Sequence, residues 1–404
     1  MSRIAILALA LLALVGDGRP PDRIELKSGE KIEGYVLLET KTEIVVLVKS
    51  KERRIPLAQV VNVRSVVRTL TDVLDRHEKL AVNDVAGELE LARDCRTGGL
   101  PGEAEVLALE ALCEDPKNAD AHAFLGHVKR QAGWMVKRGN QFVLFENLLP
   151  ARTDLREPWK LSTSHYSLFT NLSLHEATWM VLDLERFYRA YFQLLGGEVE
   201  LHEVVDPLGV GVYGDQRTFP EGLAGRQAYF DAASGQVLIN AAAVEAGYAL
   251  VHEGTHQALH ATAAGTRAGL GLIPGWLDEG LAEYMAYSRR GPAGRAQFDL
   301  GAIADKAFAT HRDAKKPYDL ARVLQFGSGD FHIPSTGDLK YAESYTLVHF
   351  FLHGSGGKYR GQFFAFLRGA FAGSSSTTDF KKVFDVPEKE LEDAWRAHVN
   401  KPVR

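Results

Sequence analysis

Two histidines and a glutamate at residues 252–256, in the sequence His-Glu-Gly-Thr-His, have the residue types and spacing needed to hold and use a metal ion. Residues four apart lie on the same face of an α-helix, about one turn from each other. His252 and His256 can therefore direct ring nitrogens to one zinc ion, at roughly 2.0–2.1 Å. Glu253 follows the first histidine and can reach a water molecule beside the metal, as in the H-E-x-x-H pattern. The motif alone leaves open a pair of structural histidines without a metal.

The helix that must present this motif is predicted from about Ala241 to Ala264, and Gly265 follows in the position that a C-terminal cap prefers. His260 is on the same helix, two turns from His252, and we expect it at the surface or beside a ligand. A tetrahedral zinc site needs a third protein ligand. The chain has only 2 Cys, too few for a cysteine site, so any metal must be held by histidine and carboxylate side chains.

A second motif, Trp-Leu-Asp-Glu-Gly-Leu-Ala-Glu-Tyr at residues 276–284, follows the first, with the 22 positions 257–278 between His256 and Glu279. The combination resembles the gluzincins, the clan of thermolysin-like and zinc-aminopeptidase-like metallopeptidases. In that clan the glutamate of Glu-Gly, on a second helix, completes the metal site. The resemblance therefore implies Glu279 as the third ligand of one zinc ion per chain. It also implies that Glu283, one turn further along, orients a ligand histidine.

A tyrosine further along the chain is a candidate for stabilising the transition state. Residues 340–352 resemble the aminopeptidase segment in which a tyrosine precedes a helix and faces the zinc. The resemblance implies that the Tyr341 phenol donates a hydrogen bond to the oxyanion, the kind of interaction that usually dominates such catalysis. Tyr345 is the alternative donor, and a packing role for both tyrosines is the remaining alternative.

The reaction that the resemblance implies is hydrolysis of a peptide bond in a peptide or protein substrate. Glu253 would take a proton from a zinc-bound water and pass it to the leaving amine. The strand predicted at Gln236–Asn240 resembles the clan's edge strand, along which an extended substrate would lie. Two departures from the aminopeptidases, a longer spacing than H-E-x-x-H-x18-E and no Gly-x-Met-Glu-Asn segment, favour an endopeptidase or a narrow processing peptidase.

The part of the chain that must position these residues, 136–404, is predicted as an α+β domain of the thermolysin-like zincin type. Strands are expected first, at 166–171 and 210–215 and in a hairpin at 227–240. A helix is expected at about 174–195, between the first two strands. Helices then continue to the C-terminus, and this order of elements is typical of α+β folds.

Three segments precede this domain. Residues 1–18 have one arginine, a short apolar run and small residues, which predict a secretory signal peptide and a periplasmic or extracellular protein. Residues 19–68 alternate apolar and polar residues in short runs, which indicates a small barrel-like β module. Residues 69–135 have helical periodicity and resemble a tetratricopeptide-type hairpin. In this helical segment Cys95 and Cys113 form either one bridge or two packed thiols. We expect the two modules to support the domain or to bind a protein partner.

Charge and hydropathy narrow the function further. A formal net charge of −5 over 404 residues gives no support to nucleic-acid binding. No segment after residue 18 is long and apolar enough to remain as a membrane span. A zinc metallopeptidase is the function that these features favour together. Three alternatives stay open: a catalytically silent metal- or peptide-binding protein of the cell envelope, a scaffold whose N-terminal modules carry the function, and an enzyme that hydrolyses a non-peptide amide.

Overall fold

A computed structural model describes residues 19–151, 155, 158–220, 227–263, 273–290, 295–333 and 335–401. The predicted signal peptide and Gly265 lie outside the described residues. Helices and sheets both contribute to the described part of the chain, which confirms the α+β class. In that part no helix is both long enough and apolar enough to cross a membrane.

The chain divides by its internal contacts into two compact units. Unit 1 is made of the described residues in Met1–Arg189, Glu203–Leu250 and Pro292–Ala296. Unit 2 is made of those in Ala190–His202, Val251–Gly291 and Gln297–Arg404. The H-E-x-x-H motif and the Glu-Gly motif therefore belong to the same unit.

Unit 1 begins with a five-stranded antiparallel sheet. Its strands are β1 (Asp22–Leu26), β2 (Lys31–Glu39), β3 (Glu43–Val48), β4 (Lys51–Pro56) and β5 (Val60–Arg64). They lie in the order β4-β3-β2-β1-β5, so β5 returns to pair with β1. Alternate residues such as Ile24, Val36 and Ile44 are buried in one core, because successive side chains of a strand point to opposite faces. The short strands predicted over residues 22–67 are confirmed.

Four helices follow in unit 1. They are α1 (Val66–His77), α2 (Val85–Gly98), α3 (Pro101–Glu114) and α4 (Ala119–Phe124). The break between α2 and α3 falls at Gly99, whose φ of 86° is a left-handed conformation that glycine adopts readily. Cys95 and Cys113 are free thiols, so of the two alternatives the structure has the packed thiols.

The helical segment ends before residue 135. A three-stranded antiparallel sheet follows α4, with strands β6 (Val128–Arg130), β7 (Gly133–Arg138) and β8 (Gln141–Leu144). The prediction of helix as far as residue 135 is therefore wrong. Gly126 and Gly133 explain the change, because their positive φ angles of 72° and 130° interrupt a helix and allow a tight turn.

A second sheet of five strands also belongs to unit 1. Its strands are β9 (Trp159–Ser162), β10 (Tyr166–Thr170), β11 (Leu208–Tyr213), β12 (Ala228–Asp231) and β13 (Gln236–Asn240), in the order β12-β13-β11-β10-β9. The three central strands are parallel. The outer strands β9 and β12 are antiparallel to their neighbours. Helix α5 (Leu174–Tyr191) connects β10 to β11 and continues as a π-helical turn, Phe192–Gly196.

Strand β13 is not an edge strand. Its backbone pairs on one side with β11, where Val237 is opposite Val210, and on the other side with β12, where Val237 is opposite Phe230. Its backbone hydrogen-bonding groups are thus used within the sheet, so an extended substrate cannot add to this strand. The predicted edge strand at Gln236–Asn240 is wrong because its own hairpin partner, β12, takes the outer position.

Unit 2 is mainly helical. Helix α6 (Ala246–Thr262) leads into it. The other helices are α7 (Gly275–Ser288), α8 (Asp305–Arg312), α9 (Leu320–Val323), α10 (Ser328–Phe331), α11 (Gly337–His353), α12 (Arg360–Phe371), α13 (Thr377–Phe384) and α14 (Glu388–Val399). Two short strands, β14 (Arg289–Arg290) and β15 (Gln297–Phe298), pair after α7. The predicted helical character of the C-terminal part is confirmed.

Helices α7 and α11 lie in close contact, and Gly280 makes that contact possible. A Cβ atom at Gly280 would lie 2.7 Å from the carbonyl oxygen of Ser344, closer than real Cβ atoms approach. The glycine of the Glu-Gly motif therefore has a packing role. It fixes the helix of the third candidate ligand, Glu279, against the helix that carries Tyr341.

Candidate metal centre

Helices α6 and α7 bring the three predicted ligands to one point. His252 Nε2 lies 3.3 Å from Glu279 Oε2, and His256 Nε2 lies 3.5 Å from the same oxygen. The three ligand atoms all lie within 4.8 Å of one another. Zinc–ligand bonds of roughly 2.0–2.1 Å in a tetrahedral arrangement put the ligand atoms about 3.3 Å apart. The three side chains therefore have the spacing that one zinc ion requires.

Glu279 has a buried oxygen at this point. The residue is 8% exposed, and within the described residues its Oε2 atom has no hydrogen-bond partner. Burying a carboxylate oxygen without a hydrogen bond costs roughly 1–3 kcal/mol or more unless a nearby cation compensates for it. A metal ion between the three side chains would satisfy this oxygen and both ring nitrogens together, so the residues present fit a metal ion.

The charges of the cluster favour bound cations. Burial by itself would lower the pKa of His252, but the carboxylates of Glu279 and Glu283 outweigh burial and raise that pKa to about 10. At His256 the carboxylates of Asp278 and Glu279 likewise outweigh burial, so the pKa of His256 lies well above its usual value. The two imidazoles hold the pKa of Glu279 well below its usual value, although burial opposes them. A metal ion can take the place of the two imidazole protons, because ligand histidines must be neutral.

Each candidate ligand histidine contacts a carboxylate with its other ring nitrogen. Glu283 Oε1 lies 3.0 Å from His252 Nδ1, and Asp278 Oδ1 lies 2.9 Å from His256 Nδ1. If Nδ1–H donates to the carboxylate, the Nε2 lone pair is left free to bind a metal, as is common in zinc sites. Glu283 thus lies beside a ligand histidine, as the resemblance implies.

Asp278 is the residue of this site that the sequence analysis missed. It lies in the first turn of α7, immediately before Glu279, where an acidic residue is favoured by the helix dipole alone. The one available signal was its position beside the third predicted ligand, and only the crossing of α6 and α7 shows that its side chain reaches His256.

Glu253 and Tyr341 lie near the same cluster. Glu253 is partly exposed and is next to His252 on α6. The ring centroid of Tyr341 lies 6.1 Å from that of His252, in an edge-to-face arrangement. Burial raises the pKa of the Tyr341 phenol above its usual value, and four nearby carboxylates add to the effect, those of Glu279, Glu283, Glu253 and Asp338. The phenol therefore keeps its proton and can donate a hydrogen bond.

The two candidate tyrosines differ in what their hydroxyls contact. Tyr341 lies inside α11 and not before a helix, so this detail of the predicted segment is wrong: the helical pattern of the segment extends upstream to Gly337. The Tyr345 hydroxyl accepts a hydrogen bond from the Ala304 amide at 2.9 Å and donates one to the Ala302 carbonyl at 3.2 Å. Tyr345 is fully buried. The Tyr345 hydroxyl is thus hydrogen-bonded to the backbone on both sides. Tyr341 is therefore the better candidate donor to an oxyanion.

Residues 248–371 match the family model DUF1570, which is described as a protein of unknown function. No curated protein sequence matches the chain significantly. The matched segment begins in α6 and ends with α12. It includes all six predicted site residues: His252, Glu253, His256, Glu279, Glu283 and Tyr341. The region of similarity therefore covers the candidate metal centre, and the family description assigns it no activity.

A second group of converging metal-ligand atoms is present in the described part of the chain, in unit 1. It consists of the buried side chains of His77, Glu88 and Glu110. His260 belongs to neither group. Arg186 Nη2 lies 2.6 Å from His77 Nδ1, and a guanidinium can only donate, so Nδ1 accepts and Nε2 carries the ring proton. Nε2 lies 3.1 Å from a Glu110 oxygen. With its proton on Nε2, the neutral ring cannot bind a metal there, and this group is an internal ion network.

The buried Glu88 carboxyl of this network makes the stability of the folded chain depend on pH. Burial raises the pKa of Glu88 to about 8, and the charge of Glu110 adds to the effect. Between about pH 4.5 and pH 8 the folded chain binds a proton that the unfolded chain releases, so the free energy of unfolding falls as pH rises. We expect the parent to lose roughly 1–3 kcal/mol more than Glu88→Gln between about pH 5 and pH 8. Urea unfolding at the two pH values measures the difference.

Glu90→Gln changes an exposed position on the same helix and should keep the parental dependence of stability on pH. An unchanged pH dependence in Glu88→Gln would contradict the protonated state of buried Glu88.

Proposed function

We propose that this protein is an exported zinc metallopeptidase of the gluzincin type that cleaves bonds within peptide or protein substrates. One observation carries the proposal: the buried Oε2 atom of Glu279 lies 3.3 and 3.5 Å from the Nε2 atoms of His252 and His256, the spacing of ligands in a tetrahedral zinc site. Two imidazoles and one carboxylate form a ligand set that suits zinc, whereas magnesium and calcium prefer oxygen ligands alone. Three protein ligands are also the usual number in a catalytic zinc site, which keeps one position open.

The residues of the site have distinct roles in this proposal. His252, His256 and Glu279 would hold the metal. When bound, zinc supplies a Lewis acid that polarises the scissile carbonyl and makes a water molecule nucleophilic near neutral pH. Glu253 accepts a proton from the attacking water and delivers it to the leaving amine, so that the amine departs uncharged. Tyr341 donates a hydrogen bond to the carbonyl oxygen as negative charge develops on it.

The surrounding chain has supporting roles in this proposal. Residues 136–404 would form a thermolysin-like zincin domain, and the modules at 19–68 and 69–135, the second tetratricopeptide-like, would support it or bind a protein partner. Export follows from the predicted signal peptide at 1–18. The absence of a recognisable Gly-x-Met-Glu-Asn segment for a free substrate amine favours cleavage within a chain over removal of terminal residues.

The test of this proposal is cleavage of a complex peptide pool by the chain beginning at residue 19. New termini are identified by mass spectrometry in the untreated protein, after a chelator, and after the return of zinc. We expect cleavage within peptides that the chelator stops and zinc restores. Chelator-resistant cleavage would contradict a metallopeptidase, and removal of single terminal residues would contradict the endopeptidase assignment.

The contact between Asp278 and His256 gives a prediction for metal affinity. Removal of the carboxylate in Asp278→Ala leaves the Nδ1–H of His256 without its acceptor, so the ring is less well oriented and less basic. We expect zinc affinity to fall about 10–100-fold, as is typical when the hydrogen-bond partner of a ligand is removed. Competition with a zinc-binding dye measures this. Asp305→Ala, which removes an exposed acid from the first turn of α8, should leave the affinity unchanged. Equal affinities for Asp278→Ala and the parent would contradict the role of Asp278.

A further inference from the structure

A groove of about 800 Å³ in unit 1 has the size of a ligand site. Helix α3 contributes Glu105 and Leu109 to its lining, β7 contributes Val136, and β9 contributes Trp159. Ligand sites in proteins commonly measure about 300–1,000 Å³. None of the residues of the candidate metal centre lines this groove. It is therefore a separate feature that the proposed peptidase chemistry leaves unexplained.

The groove is basic. Among the described residues, four cationic side chains line it, those of Arg96, Lys137, Arg138 and Lys160, against one carboxylate, that of Glu105. Arg138 is the cation whose charge acts on Glu105. The other three form no ion pair with any described carboxylate. This excess of positive charge lies on a chain whose formal net charge is −5, so the groove is a local exception that attracts negative charge.

Aromatic rings hold two of the cations in place. The guanidinium of Arg138 lies 4.6 Å from the centroid of the buried Trp159 ring, and that of Arg96 lies 3.4 Å from the Phe124 centroid. Arg96 Nη2 also donates to the Phe124 carbonyl at 2.9 Å. Such stacking orients the guanidinium groups.

The lining of the groove is mixed, and polar surface slightly exceeds apolar surface. Its buried apolar side chains are those of Leu109, Phe145, Leu148, Trp159 and Leu161. A lining that combines apolar side chains with charged groups suits an organic ligand and not a bare ion. A ligand for this groove should therefore combine apolar groups with carboxylates.

We propose that this groove binds an acidic peptide segment of another protein, with apolar side chains against the leucines and Trp159 and carboxylates against the basic side chains. The proposal is independent of zinc and of catalysis. A concave site with a buried apolar surface admits a peptide chain, whereas an anionic membrane is contacted by a basic helix face or a cluster near a flat surface. A carboxylate held by Arg96 would gain charge-assisted hydrogen bonds.

The test is peptide binding to the full chain from residue 19, carrying Glu253→Gln so that the peptide is not consumed. The probe is a short fluorescent peptide in which Asp and Glu alternate with Leu and Phe, and its counterpart has Lys at every acidic position. Anisotropy titrations are run at low salt and at about 0.15 M salt. We expect binding of the acidic peptide alone, weakened by salt, and weakened at least about tenfold by the double change Lys137→Glu and Lys160→Glu.

Matched variants distinguish binding in the groove from a general effect of the protein's charge. Lys41→Glu with Lys117→Glu makes the same charge change at exposed positions of unit 1 outside the groove, and we expect it to bind within about twofold of the parent. Lys137→Gln with Lys160→Gln should give an intermediate loss and guards against misfolding of the charge-reversed protein. Equal binding of both peptides, or equal loss in both charge-reversed proteins, would overturn the proposal. Phosphatidylserine vesicles that compete with the acidic peptide at the groove would assign it to a membrane instead.

Discussion

Replacing Glu253 by glutamine is expected to lower peptide cleavage by roughly 10²–10⁴-fold, the usual contribution of a general acid–base group. Glutamine has the same shape but cannot accept the proton of the attacking water. Glu253 lies beside the candidate ligand His252 but does not belong to the group of three residues whose ligand atoms converge. The zinc content of the variant should therefore stay at the parental value. Turnover of an internally quenched peptide and metal analysis of the same sample measure the two effects together.

A matched control makes this result specific. Glu390→Gln removes an exposed carboxylate on α14 of the same unit, and we expect both cleavage and zinc content to remain unchanged. Cleavage by Glu253→Gln at the parental rate would remove Glu253 from the mechanism. Zinc in both proteins with cleavage in neither would favour the binding protein without turnover that the sequence left open.

Replacing His256 by glutamine is expected to weaken zinc binding by more than about 100-fold, beyond the 10–100-fold typical of a residue that only supports a ligand. The change removes one of three ligand atoms and leaves Glu279 with a single imidazole neighbour at the metal position. Competition with a chelating dye measures the affinity, and circular dichroism establishes that the variant is folded.

His260→Gln is the control for this change, since it makes the same substitution one turn further along α6. His260 is not part of the converging group, so we expect its zinc affinity to equal that of the parent. A loss at His260 as large as that at His256 would show that the zinc is held elsewhere on the helix. Unchanged affinity in His256→Gln would exclude it as a ligand.

The convergence of the candidate site residues was predictable in part, because it follows from short-range helix geometry. The spacing of His252 and His256 within one helix fixes their common face, and the resemblance of the Glu-Gly motif to gluzincins implied Glu279 as their neighbour. Gly280 illustrates what the motif encodes physically, since its missing side chain allows α7 to approach α11. What could not be derived was the contact of Asp278, because it depends on how two helices cross.

Both errors in the fold prediction concern features that local sequence patterns do not specify. Residues 128–144 form strands because Gly126 and Gly133 turn the backbone, and a glycine in a helical pattern does not by itself specify which state follows. The edge position of β13 was implied only by the resemblance to gluzincins, since sequence patterns indicate strands but not their lateral order. The register of β13 between β11 and β12 is set by tertiary pairing.

Zinc binding at His252, His256 and Glu279 is tested most directly by metal reconstitution of the chain from residue 19, followed by X-ray absorption at the zinc edge. The predicted result is one tightly held zinc ion per chain, with nitrogen and oxygen neighbours at about 2.0–2.2 Å and no sulfur. The same experiment on Glu253→Gln should give the same spectrum in the absence of substrate. A chain that retains no zinc after careful reconstitution, or one whose zinc has sulfur neighbours, would contradict the site and the peptidase function built on it.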